Sequence, residues 1–264
     1  MGINGKVAVV TGGGSGIGRA LAEALAADGA RVVVGDVDET GARATALGIG
    51  KAAVAVRADA SLTTDIENLL STAESEFGPV DIYVANAGIM GTSGLGTDDD
   101  WDRILNVNLR AHIRAATLLV PQWQARGGGY FVSVASAAGL LTQLGAAGYA
   151  VTKHAAVGFA EWLTVTYGDD GVGVTCVCPL GVDTPLLAAV TGSADPAGRL
   201  SGESVVRSGA VISADQVADA TLDAVRNGRF LALPHPEVLD MYRHKGSDYD
   251  RWIAGMRRYQ STLG

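Results

Sequence analysis

Two polar side chains, Tyr149 and Lys153, stand four residues apart in a stretch that reads as helix. That spacing puts them on one face as neighbours. A free phenol ionises near pH ~10, so a tyrosine that exchanges protons near pH ~7 needs a shift of about 3 units, roughly 4 kcal/mol. One cation about 4 Å away at an effective dielectric of about 20 supplies that much. Ser136 precedes the tyrosine by thirteen residues and follows an apolar run, Tyr130 to Ala135, that reads as a strand. A hydroxyl at the C-terminal edge of a strand sits where open α/β sheets bind ligands, and it can donate to a carbonyl or accept from an alcohol. Ser133, three residues earlier, falls within the strand.

A second constellation lies near the N-terminus. The run Thr11-Gly12-Gly13-Gly14-Ser15-Gly16-Ile17-Gly18-Arg19 follows an apolar strand and leads into a helical stretch, Ala20 to Ala27. A strand feeding a glycine-rich turn into a helix start presents unpaired N–H groups and the positive dipole end to a pyrophosphate, and glycine lets the backbone come close. The spacing Gly12-x-x-x-Gly16-x-Gly18 departs from GxGxxG, and a tight connection that merely needs positive φ would look similar. Asp36 sharpens the reading. It ends the second predicted strand eighteen residues beyond Gly18, near the spacing at which a carboxylate accepts hydrogen bonds from adenosine ribose hydroxyls and repels a 2′-phosphate. Neither Ser15 nor Val37 is basic, which favours NAD (NADH) over NADP. Arg19, at the helix start, is expected to point outward.

The elements that must position these residues follow an α/β rhythm. Candidate strands are Lys6 to Val10, Arg31 to Asp36, Ala52 to Arg57, Val80 to Ala85, Tyr130 to Ala135, Val172 to Cys178 and Arg229 to Leu233. Helices are expected at about Gly16–Ala27, Glu39–Leu47, Thr64–Phe77, Asp98–Gln124, Ala147–Tyr167 and Ala214–Arg226, with Thr97 and Asp100 as a capping box. Two regions break the rhythm. Residues 184–209 are small, polar and punctuated, the length of a mobile lid. Residues 234–264 turn aromatic and basic and read as a surface or subunit-docking tail, with Trp252 or Arg257 reaching toward a neighbour's pocket.

Composition narrows the function classes. The 264 residues are 48% hydrophobic and 18% charged, too apolar for a disordered chain, and the 36 glycines are about twice average usage without a Gly-X-Y period. The net charge of −8, with no basic run, argues against nucleic acid and against an anionic membrane surface. The longest uncharged stretch, Gly127 to Thr152, is broken by six glycines and reads as buried soluble structure. Cys176 and Cys178 are read as pointing to opposite strand faces, so no disulfide framework or CxxC zinc site is expected, and a reducing cytoplasm fits. No basic n-region with an apolar h-region opens the chain. His112, His154, His235 and His244 form no HxxxH or HxH pair, so no metal is expected and all four are read as structural.

Placed together, Thr11 to Gly18, Asn86-Ala87-Gly88, Asn108, Ser136 and Tyr149-x-x-x-Lys153 resemble the single-domain branch of the short-chain dehydrogenase/reductases, from about Lys6 to Leu233. The resemblance implies an α/β, Rossmann-type doubly wound sheet of seven parallel strands with helices on both faces. It implies one domain over residues 1–264, assembled as a homotetramer or dimer. It also implies NAD-dependent interconversion of a secondary alcohol and a ketone, with Tyr149 as general acid/base. By the same resemblance Lys153 supports the phenolate and holds the nicotinamide ribose, Ser136 steadies the reacting oxygen, and Asn108 fixes a water linking Lys153 to solvent, with Asn106 the competing assignment.

For the cofactor, the resemblance assigns Gly12, Ser15, Gly16, Ile17, Gly18 and Asp36 to one end. Asp59 and Ala60 are placed near the adenine, Asn86, Ala87 and Gly88 along the adenosine, and Pro179, Val182 and Thr184 at the carboxamide. Two positions depart from the family pattern: Leu180 stands where glycine usually follows the proline, and Ala85 precedes Asn86 where asparagine is common. The substrate pocket is expected from Met90, Gln143, Leu180, Leu186 and Leu187, beside Ser136 and Tyr149, with Ile89, Leu140, Leu141 and Val190 as further candidates. These walls suit a hydrophobic or cyclic alcohol. A non-catalytic, NAD-sensing binding protein on the same fold is the alternative, and it would be expected to carry a damaged tetrad. A lyase or epimerase would be expected to carry a longer chain with a separate substrate domain.

Overall fold

In the first strand, β1 (Val7–Thr11), Val7 and Val9 enter one hydrophobic core while Ala8 and Val10 enter another. A strand covered on both faces has no polar side to show, so it reads as a continuous apolar run. The computed structural model, which describes residues 1–263, extends this into a seven-stranded sheet in the order β3-β2-β1-β4-β5-β6-β7, every neighbouring pair parallel. The remaining strands are β2 (Arg31–Asp36), β3 (Ala53–Arg57), β4 (Ile82–Ala85), β5 (Gly129–Val134), β6 (Val172–Val177) and β7 (Leu231–Ala232). Helices α1 (Gly16–Ala27), α2 (Glu39–Ile49) and α9 (Ala214–Arg226) cover one face. The other is covered by α3 (Thr63–Glu76), α5 (Ala111–Arg126) and α6 (Ala147–Tyr167). Strand order reverses between β1 and β4, which opens the crevice in which such sheets take ligands. Among the described residues no helix is long and apolar enough to cross a membrane.

Four features differ from expectation. The helix foreseen from Asp98 to Gln124 is helical throughout, but α4 (Asp98–Leu105) passes into α5 through a five-residue π turn, Asn106–Arg110, that the sequence did not announce. There the buried Asn108 side chain reaches out to the backbone of Ile89, accepting from its N–H and donating to its C=O, both at 2.8 Å. The capping box of Thr97 and Asp100 forms as read.

The expected lid is not structureless. It holds α7 (Pro185–Thr191) and α8 (Pro196–Ser208), capped by Thr184 and Asp195, whose side chains accept from Leu187 N and Gly198 N. Thr-Pro and Asp-Pro are helix-start signals that outweigh the glycines following them. The tail likewise folds into α10 (Glu237–Ser247) and α11 (Tyr249–Ser261), with Val238 fully buried. Gly264, its last residue, lies outside the described residues.

The reading of Cys176 and Cys178 is overturned. Side chains two apart along a strand share a face; both thiols lie in the core that faces α6, with Sγ atoms 3.8 Å apart. They are free thiols.

Candidate functional site

The C-terminal ends of β1 and β4 are tied to each other by one asparagine and one threonine. Asn86 Nδ2 donates to Thr11 O at 2.9 Å and Gly12 O at 3.2 Å, and Thr11 Oγ1 accepts from the N–H groups of Asn86 and Ala87. The glycine turn is held equally firmly. Gly13 N donates to Gly35 O, and Gly14 N to Asp36 Oδ2 at 2.9 Å. Gly12 and Gly16 have φ of 64° and 49°, left-handed values that L side chains rarely adopt. A Cβ at Gly12 would also come within 2.9 Å of Ala87 Cα.

Ser15 occupies the N-cap of α1, yet its side chain makes no capping bond. The N–H groups of the first turn have no partner within the helix, and with the free serine hydroxyl they form a cradle suited to an anionic pyrophosphate. Arg19 is exposed as foreseen, but its guanidinium folds back, donating to Gly14 O and Thr45 Oγ1.

From this turn a cleft of about 550 Å³ runs across the switch point. Its adenosine-side walls include Gly12, Ser15, Gly16, Ile17, Gly18 and Asp36, then Asp59, Ala60, Asn86, Ala87 and Gly88. Its other end is lined by Ser136, Tyr149, Lys153, Pro179, Val182 and Thr184. Met90, Gln143, Leu180, Leu186 and Leu187 line that same space. Asn108 does not line it. Asn108 sits one layer behind, its Oδ1 and Lys153 Nζ each 3.5 Å from where a Gly88 Cβ would stand, whereas its neighbours Asn106 and Val107 do reach the cleft.

Val37, weighed beside Asp36, lines the cleft, while sequence reasoning missed several other lining residues, among them Ser61, Arg103 and Val205. None belongs to a recognisable motif. Among the described residues no group of three or more His, Cys, Asp or Glu side chains could hold a metal ion.

At the chemical end, Ser136 Oγ accepts from Ala138 N at 3.1 Å and faces Pro179 O at 3.5 Å. Lys153 is buried and donates to Val134 O at 2.9 Å, with Nζ 5.6 Å from the centre of the Tyr149 ring. Burial dominates both groups. It pushes the Tyr149 phenol above its usual value, with the adjacent Ser136 hydroxyl pulling the other way. It holds the Lys153 ammonium down to about 8. The protein's own groups therefore do not bring the phenol to neutrality, contrary to the arithmetic of one cation at close range, because the same burial that strengthens the pair removes water from both members. Burial and the Lys153 charge also keep His112 neutral, with its pKa down to about 3; its Nδ1 faces Ser133 Oγ inside the sheet.

The lysine shift makes a stability prediction. Between pH ~8 and its unfolded value of ~10.5, the unfolded chain binds the extra proton. Stability contributed at this site thus rises with pH across that window, and the penalty of burying the charge is fully present below it. Relative to Lys153→Met, wild type should gain up to about 3 kcal/mol between pH ~7.5 and ~10.5 in urea unfolding. Parallel curves for the two proteins would contradict the assignment.

A switch-point cleft with a glycine-rich turn at one end and a phenol, a hydroxyl and a buried ammonium at the other defines a Rossmann-type α/β protein of the nicotinamide-dinucleotide-binding class. The sequence profile described as short chain dehydrogenase matches residues 6–195. The chain is 36% identical over 190 residues to D-beta-hydroxybutyrate dehydrogenase of Cupriavidus necator, covering 70% of this chain and 74% of that one. It is 35% identical over 191 residues to cyclohexanol dehydrogenase of an Acinetobacter species, covering 70% and 76%. A crystal structure of a short chain dehydrogenase/reductase from Burkholderia phymatum in complex with NAD superposes with a TM-score of 0.85 at 32% identity, covering 95% of this chain and 96% of that one. The chain belongs to the short-chain dehydrogenase family, a family of oxidoreductases.

Proposed function

We propose that this protein is an NAD-dependent oxidoreductase that interconverts a secondary alcohol and a ketone. The observation that carries the reading is the convergence of Ser136, Tyr149 and Lys153 with the glycine turn on one continuous cleft. Nicotinamide, when bound, supplies the hydride acceptor or donor and, in its oxidised form, a positive charge. The chain's own groups do the rest. The first-turn amides of α1 and the Ser15 hydroxyl hold the pyrophosphate, Asp36 accepts from the adenosine ribose, and Asp59 meets the adenine. Lys153 and Thr184 orient the far end. Tyr149 takes the proton of the alcohol or returns it to the ketone, and Ser136 donates to the same oxygen as its charge changes. Asn108, locked to Ile89, keeps the backbone beside Lys153 in place for a solvent path.

Met90, Leu180, Leu186, Leu187, Val190 and Val205 give this cleft apolar walls, with Lys153 and Arg103 as its cations, and the apolar share favours a cyclic or branched alcohol. The test is a panel of alcohols and ketones followed by NADH absorbance. Turnover of cyclic secondary alcohols supports the reading. NADH binding without turnover of any panel member would instead make the protein a cofactor-sensing module. A homo-oligomer is expected from the family and is checked by light scattering.

Asp36 gives a separate outcome. Its two carboxylate oxygens accept separately, Oδ2 from Gly14 N and Oδ1 from Asp38 N, both at 2.9 Å, so an amide removes the charge and keeps one of the two acceptors. Wild type should prefer NAD over NADP by about a hundredfold, the magnitude of a like-charge clash of several kcal/mol. Asp36→Asn should narrow that ratio to about tenfold or less. An unchanged ratio would remove Asp36 as the selector.

A further inference from the structure

Three polar tethers reach the substrate end of the cleft from the C-terminal segment, beyond the residues that match the family profile. The first is His235, buried just before α10. Its Nδ1 accepts from Leu180 N at 3.1 Å and its Nε2 faces Ala210 O at 3.0 Å. The second is Lys245 on α10, 6% exposed. Its ammonium donates to Leu140 O at 2.8 Å, Leu141 O at 2.7 Å and His154 Nε2 at 3.3 Å. An ammonium has three N–H groups, and here each has an acceptor, the condition under which such a charge is tolerated inside a protein. The third is Tyr259 on α11, whose hydroxyl donates to Ser204 O at 3.1 Å. Ser204 belongs to α8, and its Oγ, with Ser201 Oγ, accepts from Gln143 Nε2 at 3.1 and 3.0 Å.

Two tethers end at the cleft itself: Leu180, which follows β6, lines it, and α8 brings Val205 to it. The third lands one layer behind, because Leu140 and Leu141, expected as pocket candidates, are core residues in the segment between Ser136 and Gln143, and it is Ser136 and Gln143 that line the cleft. Among the described residues no hydrogen bond from residues 235–261 goes to the glycine turn, Asp36 or Asp59. The segment therefore grips the substrate half of the cleft and leaves the adenosine half alone.

We propose that residues 235–259 are an internal brace that sets the shape of the substrate pocket, with His235, Lys245 and Tyr259 as positioning residues that touch neither cofactor nor substrate. The proposal rests on the dehydrogenase reading above for its kinetic consequence, and on geometry alone for its mechanical one. Losing a tether loosens a wall, so the Michaelis constant for the alcohol rises while cofactor affinity stays the same. All three tethers are made within one chain.

The test uses full-length Lys245→Met and Tyr259→Phe. Lys245→Met should raise KM for the best alcohol by about tenfold and Tyr259→Phe by about threefold, with kcat within about twofold, the scale of one or two lost hydrogen bonds. The NADH Kd from fluorescence titration should not move. Amide hydrogen exchange, measured without substrate, should quicken at residues 137–145 in Lys245→Met and at 196–208 in Tyr259→Phe, and nowhere else. Wild-type KM in both variants, or loss that tracks faster exchange across the whole chain, would overturn the brace. If wild type turns over nothing in the panel, the dehydrogenase reading fails, and the exchange pattern alone then supports or overturns the brace. Should Lys245→Met not fold, Tyr259→Phe decides.

Discussion

Tyr149→Phe is expected to lower kcat/KM by about a thousandfold, within the range lost when a positioned general acid/base is removed. The ring is 8% exposed and packs with Ile104, Ala138 and Ala146. Phenylalanine keeps that burial, so Tm and NADH affinity should stay close to wild type. That separation matters. The phenol makes no hydrogen bond that supports the fold, and burial pushes its pKa upward in the protein alone. Burial of this kind keeps the phenol neutral near pH ~7, as it does for Tyr83 in the core, so its ionisation must be favoured by what binds beside it. Retention of more than about a tenth of wild-type activity would remove Tyr149 from the mechanism. Ser136→Ala should fall between the two, since the phenol could still exchange its proton.

The second large effect is expected at the other end of the cleft. In Gly18→Ala the added methyl would overlap the carbonyl of Gly12 and the amide of Asn86. Those atoms cannot yield cheaply, because Asn86 Nδ2 is the tie that joins the ends of β1 and β4, with bonds to Thr11 O and Gly12 O. Overpacking of this kind costs about 1–3 kcal/mol. Here the strain falls on the amides that would face the pyrophosphate, so NADH Kd should rise by between about five- and a hundredfold, with a lowered Tm. Gly48→Ala is the control: it lies in α2, and its Cβ would meet nothing within 4 Å. It should bind NADH normally and be stabilised by about 0.5–1 kcal/mol. Equal NADH affinity in Gly18→Ala and wild type would show that the turn is a connection with no cofactor role.

Local sequence carried a large part of this molecule because much of it is locally determined. The strand runs of Val, Ala and Ile, the glycine turn, the helix spacing of Tyr149 and Lys153 and the capping box at Thr97 are each decided by a few consecutive residues. So is the direction of a side chain along a strand, which places Cys176 and Cys178 on one face; reading them as opposed was an error of period, and no long-range contact was needed to avoid it. The helices α7 and α8 were legible in the same way, from Thr184-Pro185 and Asp195-Pro196.

Other features could not be read locally. The π turn at Asn106–Arg110 exists where Asn108 bonds the backbone of Ile89, nineteen residues away. The high phenol and low ammonium pKa values come from how much protein surrounds the pair, and spacing says nothing of that. The three tethers join residues 55 to 105 positions apart, and nothing in the composition of the tail distinguishes Lys245 from the other cations around it. The sequence by itself determined the sheet, the turn that would cradle a phosphate and the spacing of the candidate reacting groups, since each depends on backbone preference or on neighbours along the chain. Only the tertiary structure decided how those groups are desolvated and which distant segment shapes the pocket beside them, because burial and the satisfaction of a buried charge are properties of the packed molecule.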